Sequence, residues 1–279
     1  MRRKAGTGRM RLTHPSINMS PPMPELKPIP EFRSLRDGFQ MSACRPFIVR
    51  RAEEFSEPPF EEVFARFKNS SERVFGYDES GHYVEDLLLS NLVEEWLNDR
   101  LKVKVLDSPM HIVDLPSVMD EFASSPSPAT ETLEEESFAA RVYAHKHGQS
   151  PVLTRADTYT PFHVDPPDFG GGWMYLWKGR KTWHFVSQEC ITTLYRPAPL
   201  GKLLDVSVEE LHGLYPKIEC FSVTAGDGDF LYFPPGWIHR IWTHEKSLGI
   251  GGYIQPEGAK SEYLQAMAQL EALGKDFVW

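Results

Sequence analysis

The sequence predicts a mainly β fold with flanking helices, a double-stranded β-helix of the jelly-roll or cupin kind behind an N-terminal helical buttress. Three observations predict it. Beyond about residue 140 the chain breaks into short aromatic and β-branched runs separated by Gly and Pro, the texture of a barrel or sandwich. Before that point, apolar residues recur at helical spacing. A hydrophobic content of 41%, 12% of the chain being aromatic, gives 279 residues enough apolar surface for a full-sized core.

The elements follow in chain order. Residues 1–45 read as a flexible arm, because Pro15, Pro21, Pro22, Pro24, Pro28 and Pro30 interrupt a polar stretch with too little apolar surface to offset ordering. Its basic start, Arg2, Arg3, Lys4, Arg9 and Arg11, is read as a solvated terminus in preference to a nuclear-import or phosphate-touching segment. Residues 46–139 form the buttress: Phe60, Val63, Phe64 and Phe67 share a helix face, and Val84 to Leu101 continues with Leu88, Leu92 and Trp96 in register. A strand over Val103 to Leu106, a helix over Leu115 to Phe122 and a loop over Ser124 to Ser137 complete it. The loop's acidic cluster, Glu131, Glu134, Glu135 and Glu136, reads as solvated.

Residues 140–260 form the β core. Its expected strands are Val152–Arg155, Tyr159–Val164, Trp173–Trp177, Lys181–Val186, Glu219–Val223, Asp229–Phe233, His239–Thr243 and Ser247–Tyr253. A C-terminal helix over 261–279 presents Tyr263, Met267 and Leu270 on one face and stops near Gly274.

Charge and cysteines narrow the function. A formal net charge of −9 excludes a surface that grips nucleic acid all over, so any such contact is local and weak, through the basic arm. Cys44, Cys190 and Cys220 are too far apart for a zinc finger and odd in number for a disulfide framework. With no stretch of ~20 apolar residues and no apolar signal core, the expectation is a soluble intracellular protein without membrane contact, nuclear or cytoplasmic.

One constellation carries chemistry. His163 and Asp165 stand two apart at an expected strand end, and residues two apart on a strand face the same side. Alone the pair is weak. His239 supplies a third ligand from Pro234-Pro235-Gly236-Trp237-Ile238-His239. Two imidazoles and a carboxylate make a facial triad that leaves positions open on a non-haem iron, although a zinc centre has a similar ligand set. Lys181, among Trp173, Trp177 and Trp183, would be costly to bury without an anionic partner.

Tyr159-Thr160-Pro161-Phe162-His163-Val164-Asp165, then Phe169-Gly170-Gly171, Lys178-Gly179-Arg180-Lys181, Gly236-Trp237-Ile238-His239 and Gly251-Gly252 together resemble the JmjC domain. The likeness covers about residues 150–255 and is strongest to the F-box and PHD-finger branches of the histone lysine demethylases. It implies a JmjC barrel in which His163, Asp165 and His239 bind Fe(II), while Thr160 and Lys181 hold the distal carboxylate of 2-oxoglutarate. Tyr175 is left to packing. Two features depart from the demethylases. Pro166-Pro167-Asp168 separates the His-x-Asp from Phe169, where the demethylases run directly from one to the other, and Tyr253 follows the Gly-Gly where the demethylases carry a polar residue; the His-x-Asp-Pro form also resembles the JmjC protein hydroxylases.

The resemblance implies a 2-oxoglutarate-dependent dioxygenase that uses O₂ on a protein substrate such as a histone tail, by lysine demethylation. A JmjC side-chain hydroxylase is the alternative, because the metal site does not choose between the two. A non-catalytic JmjC-fold chromatin interaction protein would be expected to lose a ligand or Lys181, and neither is lost. A cupin using another metal without 2-oxoglutarate is disfavoured by Thr160 and Lys181.

Overall fold

Short elements fill the first half of the chain and long strands the second, in a computed structural model that describes residues 26–78, 82–105, 110–122, 149–165, 170–196, 202–203 and 206–273. The first half holds β1 (Lys27–Pro28), β2 (Glu31–Phe32), α1 (Leu35–Ser42), β3 (Phe47–Val49), α2 (Phe60–Lys68), β4 (Arg73–Tyr77), β5 (Tyr83–Leu88), α3 (Leu89–Leu97), β6 (Lys104–Val105) and α4 (Ser117–Phe122). There follow β7 (Gln149–Thr154), β8 (Thr158–His163), β9 (Gly171–Val186), α5 (Ile191–Leu194), β10 (Tyr195–Arg196), β11 (Lys202–Leu203), α6 (Val208–Leu214), β12 (Cys220–Ala225), β13 (Phe230–Phe233), β14 (Ile238–Ile254) and α7 (Lys260–Leu273).

Two strands, β9 and β14, organise the molecule by pairing antiparallel along their whole lengths, from Ile238 opposite Val186 to Ile254 opposite Gly171. Each serves two sheets. The first half of β9 pairs with β13 and the second half of β14 with β7, giving the order β2-β3-β13-β9-β14-β7-β6-β4-β5. Their other halves join β12, which carries β1, and β8. The result is a jelly-roll of the JmjC and cupin kind.

The bend between the sheets is built at Gly179, whose φ of 109° suits glycine and whose missing Cβ leaves room for Ser247. Opposite it, the register of β14 shifts between Thr243 and Leu248, as bulges do where a strand turns a corner. The bend changes which residues face inward. Before it, Met174 and Leu176 pack in the interior while Trp173, Tyr175 and Trp177 pack on the helices; after it, Lys181 is buried and Trp183 and Phe185 point inward. Val223, Leu231, Phe233 and Ile48 complete that interior from both sheets.

Outside, α2 and α3 cover the larger sheet through Val63, Phe67, Leu92 and Trp96, as the helical spacing predicts. Lys246, in the bend of β14, donates to the α3 carbonyls of Trp96 and Leu97 and to Asp99, tying corner to buttress. α5, α6 and α7 cover the other end through Ile191, Leu211, Ala266 and Leu270. Among the described residues no helix is long and apolar enough to cross a membrane.

Four expectations are corrected. The strands expected over Trp173–Trp177 and Lys181–Val186 are one, β9, and those over His239–Thr243 and Ser247–Tyr253 are one, β14. Lys178-Gly179-Arg180-Lys181 is therefore a bend within one strand and not a break between two, because the partner strand bends with it and keeps pairing. The helix expected from Val84 starts at Leu89, since Tyr83–Leu88 pairs with β4 and sheet pairing overrides apolar spacing. The arm expected over 1–45 is built into the fold from residue 26: β1 adds to β12, and Leu35 and Phe39 bury against the β3 and β13 aromatics. The basic start, the Ser124–Ser137 loop with its acidic cluster, Pro166–Phe169 and Gly274 lie outside the described residues.

Candidate metal centre

β8 and β14 pair so that His239 lies directly opposite His163, and Asp165 follows two residues after His163, just past the strand end. The two ring centroids are 4.1 Å apart. An Asp165 carboxylate oxygen lies 3.6 Å from His163 Nε2 and 3.9 Å from His239 Nε2. One ligand atom from each residue falls within 4.8 Å of the other two, the spread of groups that could hold one ion.

The backbone aims both rings. His163 Nδ1 lies 2.9 Å from the Pro161 carbonyl oxygen, and His239 Nδ1 lies 3.1 Å from that of Trp237. A carbonyl only accepts, so each Nδ1–H donates and each Nε2 is left with a lone pair toward Asp165. This is the outer support that metal-binding histidines commonly have. Burial, reinforced by His163, holds His239 well below the usual imidazole range. Burial also pushes the Asp165 carboxyl up, against the pull of His163. The His239 imidazole stays neutral with its lone pair free, and a desolvated carboxylate gains from a cation set beside it, so the donor set fits a bound metal.

Ser150, Val152, Trp183, Phe233 and Ile241 line a cavity of about 90 Å³ together with the triad. The indole N–H of Trp183, fully buried, has no hydrogen-bond partner among the described residues. A step deeper lies Lys181, 2% exposed. Its ammonium donates to Thr154 Oγ1 at 2.8 Å and Thr243 Oγ1 at 2.9 Å. Among the described residues no carboxylate pairs with it. Burial first, then the charge of Lys104, pulls Lys181 down to about 7. A cation so placed fits an anion that enters from outside.

The structure thus brings His163, Asp165 and His239 together and puts Lys181 on the same interior column. Thr160 stands opposite Ile241, within that column, but its hydroxyl accepts from Lys104 at 3.2 Å and not from Lys181. Tyr175, read as packing, stacks on Phe55 at 4.8 Å in the outer core. Sequence reasoning missed Thr154, Thr243 and Lys104. Thr243 is registered with Lys181, and Thr154 stands opposite Ser247 on the other side of β14, so finding them needs the strand register that only the structure supplies.

No family model matches the chain. A stretch of 112 residues is 36% identical to JmjC domain-containing histone demethylation protein 1 of Emericella nidulans, covering 36% of this chain and 7% of that protein. The protein of the same name from Caenorhabditis elegans is 31% identical over 123 residues, 40% of this chain and 10% of its own length. The chain is a relative of the JmjC-domain histone demethylation proteins. Lysine-specific demethylase 7A of Xenopus tropicalis is 28% identical over 123 residues, 42% of this chain and 12% of that protein. This JmjC relative therefore spans only a small part of the curated proteins it matches.

Proposed function

We propose that this chain is an Fe(II)- and 2-oxoglutarate-dependent JmjC oxygenase that demethylates lysine in a protein substrate, a histone tail foremost, and so acts in the nucleus. The observation that carries the reading is the interior column with His163, Asp165 and His239 at one level and, beneath, the Lys181 ammonium, which pairs with no carboxylate among the described residues. His163 Nε2, His239 Nε2 and the Asp165 carboxylate would hold the iron. Lys181 and Thr160 would fix the far carboxylate of 2-oxoglutarate, an ammonium giving a point charge and a hydroxyl a directed bond.

Bound there, iron with 2-oxoglutarate supplies oxygen activation, with succinate and CO₂ as products. The chain's residues provide position and seclusion. The carbonyls of Pro161 and Trp237 keep each imidazole in one tautomer. Trp183, Phe233 and Ile241 wall the cavity with apolar surface that excludes water. Hydroxylation of an N-methyl group gives a hemiaminal that releases formaldehyde, whereas hydroxylation of a side-chain carbon gives a stable alcohol.

The test is incubation with Fe(II), ascorbate, 2-oxoglutarate and a panel of methylated histone peptides, read by mass spectrometry. Loss of a methylene with matching succinate is the expected result. Gain of an oxygen would make the protein a hydroxylase, and no succinate under any condition would overturn the oxygenase reading.

A further inference from the structure

A second lysine reaches the same end of the barrel. Lys104 sits on β6 between Val103 and Val105, which pack into the outer core, so strand alternation turns Lys104 the other way. Val105 pairs with Leu153, and one step along that antiparallel register lies Thr154, the acceptor of Lys181. Lys104 Nζ donates to the Tyr159 carbonyl at 2.5 Å and to Thr160 Oγ1 at 3.2 Å. Among the described residues it pairs with no carboxylate; the charge acting on Lys104 is Arg155, and the charge acting on Lys181 is Lys104. A buried and a half-buried cation set together, with hydroxyls and backbone as their partners, are an unbalanced arrangement that an incoming anion completes.

The level is also right for the reading given above. Thr160 stands opposite Ile241, two residues along β14 from His239, or roughly 7 Å at the usual rise of a strand. Thr243, which Lys181 reaches, is two residues further on. A five-carbon dicarboxylate held at the triad by its keto-acid end would be met at its far carboxylate by groups near the level of Thr160, where the Lys104 ammonium lies. We propose that Lys104 is a second carboxylate-binding residue of the 2-oxoglutarate site, acting with Lys181 across Thr160, and that the two ammonium groups together select a dicarboxylate over a monocarboxylate. This rests on the oxygenase reading, and the experiment separates the two.

The chain, loaded anaerobically with Fe(II), is titrated with 2-oxoglutarate and with 2-oxovalerate, its counterpart without the far carboxylate, following charge-transfer absorption for wild type, Lys104→Met, Lys104→Arg and Lys181→Met. Lys104→Met should weaken 2-oxoglutarate binding by at least ~10-fold, the scale of losing one partner of a partly desolvated charge pair, while leaving 2-oxovalerate within about twofold. Lys104→Arg, which keeps the charge and guards against a folding defect in the methionine variant, should recover most of the affinity. Unchanged 2-oxoglutarate binding in Lys104→Met overturns the inference and leaves the oxygenase reading standing. Equal weakening of both ligands also overturns it, by making Lys104 a strut for β8. Absence of 2-oxoglutarate binding in wild type overturns the oxygenase reading and the inference with it.

Discussion

Lys181 shows at the scale of one residue how a site is kept at the expense of stability. Its ammonium is buried against two hydroxyls with another lysine as its charged neighbour, and these hold it at about 7. Relative to an unfolded lysine near 10.5, the folded chain disfavours the proton. The cost is full below about pH 7 and is relieved as pH rises from 7 toward 10.5, so this residue makes stability increase with pH across that window. Lys181→Met should remove the cost, stabilising the ligand-free protein at pH 6 by on the order of a few kcal/mol, while abolishing 2-oxoglutarate binding. Chemical denaturation at pH 6 checks it, and a destabilised variant would contradict it. Ligand binding has the opposite slope. The anion prefers the charged lysine, so 2-oxoglutarate affinity should fall as pH rises above about 7, with Lys104 the charged group facing Lys181 in that range. Calorimetric titration at pH 6.5 and pH 8.5 measures it, and an affinity that rises with pH contradicts it.

At the scale of elements, the bend in β9 decides where the chemistry points. A regular strand would keep Met174, Leu176 and Lys178 on one face and turn Lys181 to the other, away from the interior. Gly179 breaks that parity and lets Lys181 join Trp183 and Phe185 inside. Gly179→Ala forces a Cβ to within 2.3 Å of Ser247 Oγ at a φ of 109°. It should cost at least about 2 kcal/mol in urea denaturation and weaken 2-oxoglutarate binding, because the lysine two residues on is re-aimed. Lys178→Ala is the control: its exposed pair with Asp227 at 3.0 Å is worth under about 1 kcal/mol, and 2-oxoglutarate binding should not change.

The same bend marks what the sequence could and could not tell. His163 and Asp165 were legible because a two-residue repeat on a strand needs no tertiary knowledge, and His239 because a Pro-Pro-Gly turn announced its strand. The two long strands were not legible, since a glycine in a bulge and a glycine in a turn look alike in one dimension. Nor was the Lys104–Thr160 contact, which joins strands more than 50 residues apart and depends on a register shift between His239 and Ile241.

At the scale of the whole molecule, the helical buttress and the barrel hold a few polar side chains in fixed places within an apolar interior. The outer aromatic core of Phe55, Trp173, Tyr175 and Phe230 packs ring on ring at 4.8 to 6.0 Å. It backs the first half of β9 and locks the sheet from which the cavity is walled. On the proposed reading such a scaffold would hold the three ligands whether or not an ion is present, so losing one should remove the metal without unfolding the chain. The direct measurement is anaerobic equilibrium dialysis against Fe(II) with metal analysis, for wild type, Asp165→Ala and His239→Ala, with circular dichroism on each. The account predicts one equivalent of iron on wild type and none on either variant, all three folded; iron retained at wild-type stoichiometry by His239→Ala would contradict it.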